Sequence, residues 1–358
     1  MTRDDLGELA GEVRATGLAA GLDAVGIASA EPFEEARSAI EARRTAGLHG
    51  GMQFTFRNPA RATDPGRSVR GAASLVVGAR SYRRRRPERP PGPMGEVARY
   101  SWQDHYVPLR DALDQVAAVL ARAGWRVRVL VDDNALVDRA AAVRAGLGFF
   151  GKNTNVLLVG RGSWFVLGSV VTDAPLPVDE PVDTPEHGGC GTCTRCMPAC
   201  PTGALVAPGV LDARRCLAWL LEAPGSFPEE LRTSLGGRVY GCDDCQTVCP
   251  PNRAEDRRRP PPRADPQDEA WVDLLGMLDA SDDELLTRFA RWYVPRRDPR
   301  YLRRNALVAL GNVADGDDPS VVRTLARWCG DADPLLREHA EWAARRLGRA
   351  DLVGGRGR

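Results

Sequence analysis

Between Leu6 and Leu176 the apolar residues fall in short β-branched runs separated by longer Ala- and Leu-rich stretches. The runs AVGIAS (24–29), SLVVGA (74–79), RVRVLVD (126–132), NVLLV (155–159) and SWFVLGSVV (163–171) predict strands, and Tyr106 to Ala123 predicts a helix. Strands alternating with helices predict an α/β domain over residues 1–178. Beyond Trp271 the strand pattern stops and amphipathic helical spacing takes over. Leu302, Arg303, Ala306 and Ala309 recur 34 residues later as Leu336, Arg337, Ala340 and Ala343. That period predicts an all-α, HEAT-like solenoid over 271–350, in which each helical pair buries its apolar face against the next. Two Arg/Pro-rich passages interrupt the periodicity. RSYRRRRPERPPGPMGE (80–96) predicts an exposed loop, and NRAEDRRRPPPRADP (252–266) a linker closing a middle region, 179–252.

A hydrophobic fraction of 43% with 27% charged residues over 358 positions describes a soluble globular chain with room for two or three domains. There is no apolar run of about 18 residues, and MTRDDLGELAGEVRATG lacks the layout of a secretory signal. The expectation is a cytoplasmic protein without a membrane partner. Net charge is only +1, and of the 49 basic residues Lys152 is the single lysine. Arginine runs therefore carry less weight than usual, whereas one lysine kept in GKN points to a compact ammonium on a flexible stem.

Eight of the nine cysteines lie between positions 190 and 249, and Cys329, in RWCGD, reads as an ordinary core thiol. Clustered thiols in a reducing compartment favour metal over disulfides. Cys190-x2-Cys193-x2-Cys196-x3-Cys200-Pro201 has the bacterial ferredoxin spacing, and Cys242-x2-Cys245-x3-Cys249-Pro250 follows with Cys216 between. Thiolates two residues apart wrap one cubane, and the cysteine after the x3 gap reaches the other cluster. One 4Fe-4S cluster then takes Cys190, Cys193, Cys196 and Cys249, and the second Cys200, Cys216, Cys242 and Cys245. A pair of structural zinc sites is the competing reading. Gly146, Gly148 and Gly151 spell G-x-G-x-x-G, but a helix precedes them and a strand follows, the reverse of a nucleotide site.

The order of these features resembles the epoxyqueuosine reductase family, cobalamin-dependent iron-sulfur enzymes that complete the queuosine base in tRNA. The likeness covers nearly the whole chain. It rests on LHGGMQF (48–54), RATDP (61–65), VDDNALVDRAAAVRAGLGFFGKNT (131–154), GSWFVLGSVVTDAPL (162–176), CGTCTRCMPACPTGAL (190–205), LDARRC (211–216) and YGCDDCQTVCPPN (240–252). The resemblance implies a cobalamin-binding, catalytic α/β domain, a ferredoxin-like module with two 4Fe-4S clusters, and the helical tail. It implies Asp132 as proton donor, its carboxyl kept protonated by burial beside the corrin. Helix capping is the competing role for Asp132, and Asp133 is open to either job. Arg61, Lys152 and Asn153 join Asp132 as cofactor-binding residues. With no D-x-H-x-x-G motif, His49, His105, His187 and His339 are not expected as cobalt ligands.

This chain departs from the family at Tyr100–Tyr106, where a glycine is missing and His and Tyr are exchanged, and at Asn134, Ala135 and Asp138. The implied substrate is a queuosine-family tRNA anticodon stem-loop. Its phosphates would meet Arg300, Arg303 and Arg304 within the basic run 296–304, with Arg83–Arg86 and Arg257–Arg259 as further basic surface. The resemblance also implies an external low-potential electron donor, and the chain is expected to act as a monomer. The alternatives are a cobalamin and iron-sulfur reductase of a small organic molecule, akin to reductive dehalogenases, and a ferredoxin-like electron carrier.

Overall fold

The structure, a computed structural model, describes residues 2–183 and 188–354. Four strands form its main sheet: β1 (Ala24–Ser29), β2 (Ser74–Ser81), β3 (Val127–Val131) and β4 (Phe165–Thr172), in the order β1-β2-β4-β3. Every neighbouring pair is antiparallel, so the helices between strands do not make parallel crossovers. Side chains alternate across β2: Leu75, Val77 and Ala79 face one layer and Val76 the other. On the Val76 side pack α1 (Arg3–Ala19) and α2 (Tyr106–Arg122), through Leu9, Val13, Leu109, Leu113, Val116 and Leu120. The opposite layer holds α3 (Asp138–Arg144), Phe33, Leu136 and a hairpin of Gly148–Phe150 with Val156–Leu158. Helix α1 starts at a capping box in which Thr2 and Asp5 exchange side-chain bonds with each other's amides.

A second, three-stranded sheet sets Met94–Val97 between Arg238–Tyr240 and Trp271–Asp273. One strand comes from each of the three regions read along the sequence. Part of the passage expected as an exposed loop is therefore a central strand. The rest of that passage is pinned as well: Arg83 reaches Asp256 at 3.2 Å, Arg84 lies 3.7 Å from Asp268, and Arg86 pairs with Glu96 while lying over the rings of Trp102 and Trp271. The other Arg/Pro passage opens as a helix, Pro250–Arg258, whose Arg258 pairs with Glu255.

The helices α4 (Arg300–Val313), α5 (Pro319–Cys329) and α6 (Pro334–Arg346) close the chain. Leu302, Ala306 and Ala309 of α4 and Leu336, Ala340 and Ala343 of α6 are all buried. They share one core with Val97, Trp102, Val239, Tyr240 and Val272, so the helical tail is fused to the second sheet. Cys329 belongs to that core. Among the described residues no helix is long and apolar enough to cross a membrane.

Candidate functional site

Asp132 follows β3 with a left-handed backbone (φ 51°), a conformation that aspartate tolerates better than most residues. Its neighbour does the local work. Asp133 accepts from the Ala135 amide at 2.9 Å, closing the turn, whereas Asp132 makes no side-chain hydrogen bond among the described residues. Val137, not an aspartate, occupies the N-cap of α3. Asp132 is exposed, yet the protein around it desolvates the carboxyl enough to raise its pKa, and Asp104 and Asp133 push the same way.

Three more acids or phenols face the same place. Asp138, at the first turn of α3, has a buried Oδ1 with no protein partner, and burial followed by the Asp132 charge lifts its pKa well above the carboxylate range. The phenol of Tyr106 starts α2 and is likewise raised, by burial and then by Asp132 and Asp138. Glu222 ends the helix Leu217–Glu222. Burial lifts it from 4.5 to about 7 against the hydroxyls of Tyr100 and Tyr240, and Asp132 adds to the rise. Tyr100 Oη donates to Glu222 Oε1 at 3.1 Å. Gly241, at φ 67°, leaves room for Tyr100: a Cβ there would stand 2.8 Å from its ring. The result is a set of acids whose proton affinities are all raised, which suits them to giving protons.

The cysteine loops bring their thiols into two groups. Cys249 is pushed up to about 11 by burial and then by Cys190, Cys196 and Cys193. Cys242 is pushed up to about 12 by burial, with Asp244 and Cys216 adding to the rise, and Cys245 is raised by burial and then by Cys242 and Cys216. Cys216 in turn feels Cys200. At Cys200 burial opposes the thiolate, but the Thr202 hydroxyl and the amides of Thr202, Ala204 and Leu205 outweigh it and lower the pKa. These couplings sort the thiols into two neighbourhoods, while among the described residues no three metal-ligating side chains already stand together as a metal site. Cys216 caps the helix that ends in Glu222, so the second group lies towards the acids.

Lys152 and Asn153 sit at the tip of the hairpin, between the cysteine loops. Lys152 is 8% exposed and its Nζ donates to Gly191 O at 2.7 Å, while Asn153 Nδ2 donates to Cys245 O at 3.3 Å. Arg61 is exposed, with no side-chain partner among the described residues, and no contact joins it to Asp132. His105 is buried beside Tyr82, and desolvation lowers it to about 4, so it is neutral. His339 accepts from the Phe227 amide at Nε2 and so donates from Nδ1 to Leu335 O, deep in the helical tail. His49, in the LHGGM turn, lies tilted against the Phe56 ring, and His187 lies outside the described residues.

One of the expected tRNA arginines, Arg304, needs correction. Arg304 is 0% exposed and donates to the carbonyls of Leu220, Leu221, Ala223 and Gly225, so it ties α4 to the Glu222 helix and offers nothing to a phosphate. Arg303 is largely covered, bound to Asp282 at 2.5 Å and Ala280 O at 2.9 Å. Arg300 remains 46% exposed beside Asp298 and Asp333. Arg296 is exposed in a left-handed turn. The burial of Arg304 was foreshadowed by ALVAL (306–310), an unbroken apolar run that marks a helix covered all round. Glu222 went unnoticed, although it is the one charge in LAWLLE.

Residues 189–252 match the sequence profile of a 4Fe-4S double cluster binding domain. The chain is 34% identical to an epoxyqueuosine reductase of Bacillus anthracis over 98% of its own length and 92% of that protein's. It superimposes with a TM-score of 0.85 on a crystal structure of epoxyqueuosine reductase with a tRNA-Tyr epoxyqueuosine-modified stem loop, at 32% identity over 95% of this chain and 90% of that one. The TM-score is again 0.85, at 31% identity over 96% of this chain and 92% of the other, for the Bacillus subtilis enzyme with its catalytic aspartate loop swung out of the active site.

Proposed function

Since the chain belongs to the epoxyqueuosine reductase family, we infer that it reduces epoxyqueuosine to queuosine in tRNA, using cobalamin and two 4Fe-4S clusters. The observation that carries this reading is the double-cluster match of residues 189–252 in a chain that also gathers the raised acids Asp132, Asp138 and Glu222. Removing an epoxide oxygen breaks two C–O bonds, forms an alkene and releases water, consuming two electrons and two protons. A low-potential external donor gives the electrons singly, through the clusters.

Bound cobalamin supplies a reduced metal nucleophilic enough to open a strained ring. Two features fit its amide-fringed ring: the unpartnered buried Asp138 Oδ1 can accept from an amide NH, and the free Arg61 guanidinium can donate to an amide oxygen. Asp132, its carboxyl's proton affinity raised by desolvation, gives a proton to the epoxide oxygen as its bond to carbon breaks. The moving catalytic aspartate loop of the Bacillus subtilis relative supports that role. Glu222, protonated up to about pH 7, holds a second proton nearby through Tyr100. Lys152 and Asn153 serve the clusters rather than the corrin, because their partners are cluster-loop carbonyls.

Residues 1–178 form the cobalamin and catalytic domain, 179–252 the two-cluster module, and 271–350 a HEAT-like tail that steadies the anticodon arm. Arg296, Arg297 and Arg300 are its exposed cations in the 296–304 run, and the flipped base enters beside Asp132. The protein works as a monomer in the cytoplasm, where tRNA is modified. Nucleoside analysis of tRNA from a strain lacking this protein tests the reading: epoxyqueuosine should accumulate, and an unchanged queuosine content would reject it.

A further inference from the structure

The tip of the hairpin Gly148–Phe150/Val156–Leu158 is wedged between the two cysteine loops, and its own geometry is held firmly. Gly151 donates to Asn155 O at 2.8 Å, Thr154 takes a left-handed backbone at φ 66°, and Gly209 donates to Lys152 O at 3.0 Å. From this tip three side chains reach the cluster loops. Lys152 Nζ holds Gly191 O, next to Cys190, while Asn153 Nδ2 holds Cys245 O and Asn155 Nδ2 lies 4.0 Å from Cys245 Sγ. Lys152 is the only lysine of the chain and is 8% exposed, so its charge is poorly screened. Its field already acts on Cys196, where it opposes the raising effects of burial and of Cys190 and Cys193.

A cluster ligated by four thiolates is anionic, and each reduction adds one more negative charge. A buried cation beside it therefore favours the reduced form, and net charge and hydrogen bonding are among the factors that set cluster potentials.

We propose that Lys152 sets the reduction potential of the cluster held by Cys190, Cys193, Cys196 and Cys249, its buried ammonium on Gly191 O raising that potential relative to the cluster on Cys200, Cys216, Cys242 and Cys245. The proposal rests on the two-cluster reading above. The step it governs is the one-electron reduction of that cluster by the external donor, with no bond made or broken and no proton taken up.

The test is an anaerobic redox titration of the reconstituted full chain with dithionite and mediator dyes, followed by electron paramagnetic resonance. It compares the unmodified protein with Lys152→Gln and Lys152→Arg, and Cys193→Ser identifies which signal belongs to the first cluster. Lys152→Gln should lower that cluster's potential by about 59 mV or more, a tenfold change in a one-electron equilibrium. The second cluster should move by less than half as much, and Lys152→Arg should recover most of the loss. An unmoved potential in Lys152→Gln, equal shifts at both clusters, or an equal shift in Lys152→Arg would overturn the proposal. If Lys152→Gln loads less iron, Lys152→Arg decides: full loading at the parental potential supports a role for charge, and lost iron there too leaves Lys152 a structural tie. No tRNA is present, so failure here leaves the reduction of epoxyqueuosine standing, whereas about four irons in the unmodified chain would defeat the two-cluster reading itself.

Discussion

Glu222 shows how burial creates function from an ordinary side chain. Its carboxyl is raised from 4.5 to about 7 by desolvation, opposed by hydrogen bonds from Tyr100 and Tyr240. The unfolded chain releases this proton above about 4.5, but the folded chain keeps it until about 7. Its contribution to stability is therefore complete below pH 4.5 and is lost as the pH rises through 7, each tenfold difference in proton affinity between the two states being worth about 1.4 kcal/mol. Glu222→Gln should flatten the fall in melting temperature between pH 5 and 8, read by thermal denaturation of the unreconstituted chain. A parental slope in the variant would mean that Glu222 ionises freely. The double-cluster region was legible because ligand spacing is a local property. Glu222 and Asp138 were not legible as acids, because their pKa values arise from neighbours brought in from distant segments.

At the scale of elements, all five predicted strands formed, and the helix read over Tyr106 to Ala123 runs Tyr106–Arg122. Period-2 and period-3.6 patterns are written in each segment separately. Strand direction is not. The antiparallel order β1-β2-β4-β3, and the strand Met94–Val97 inside a Pro/Arg passage, depend on partners far along the chain. Close packing of α4 on α6 is similarly invisible in the sequence. A Cβ on Gly311 would stand 2.8 Å from Ala343 Cα, a backbone atom that cannot step aside. Gly311→Ala normally gains about 1 kcal/mol of helix propensity. Here overpacking of about 1–3 kcal/mol should outweigh it. Urea denaturation should give a lower midpoint for Gly311→Ala, and a raised midpoint would show that the two helices separate easily.

For the whole molecule, the placement of cations decides how tRNA is held. Charge reversal at Arg296 and Arg300 should weaken binding of an anticodon stem-loop and reduce the salt dependence of its affinity, because each lost phosphate contact releases fewer counterions. Arg304→Ala should behave differently. It leaves the carbonyls of Leu220, Leu221, Ala223 and Gly225 without that donor, at about 1–3 kcal/mol for each that stays unsatisfied. Its melting temperature should drop while the salt slope of the folded protein stays parental. Fluorescence anisotropy across a salt series separates the two, and an altered slope in Arg304→Ala would return that residue to the RNA surface.

The central claim is that this chain converts epoxyqueuosine to queuosine with a proton from Asp132. Its most direct measurement is anaerobic turnover of an epoxyqueuosine-containing stem-loop by the cobalamin- and iron-loaded chain, followed by mass spectrometry of the released nucleosides, for the parent and Asp132→Asn. The parent should yield queuosine, with a rate that falls as the pH rises through the raised pKa of Asp132, since only the protonated carboxyl donates. Asp132→Asn should keep its iron and cobalamin and lose about 10²–10⁴-fold in rate. No queuosine from the fully loaded parent, or parental turnover by Asp132→Asn, would contradict the account.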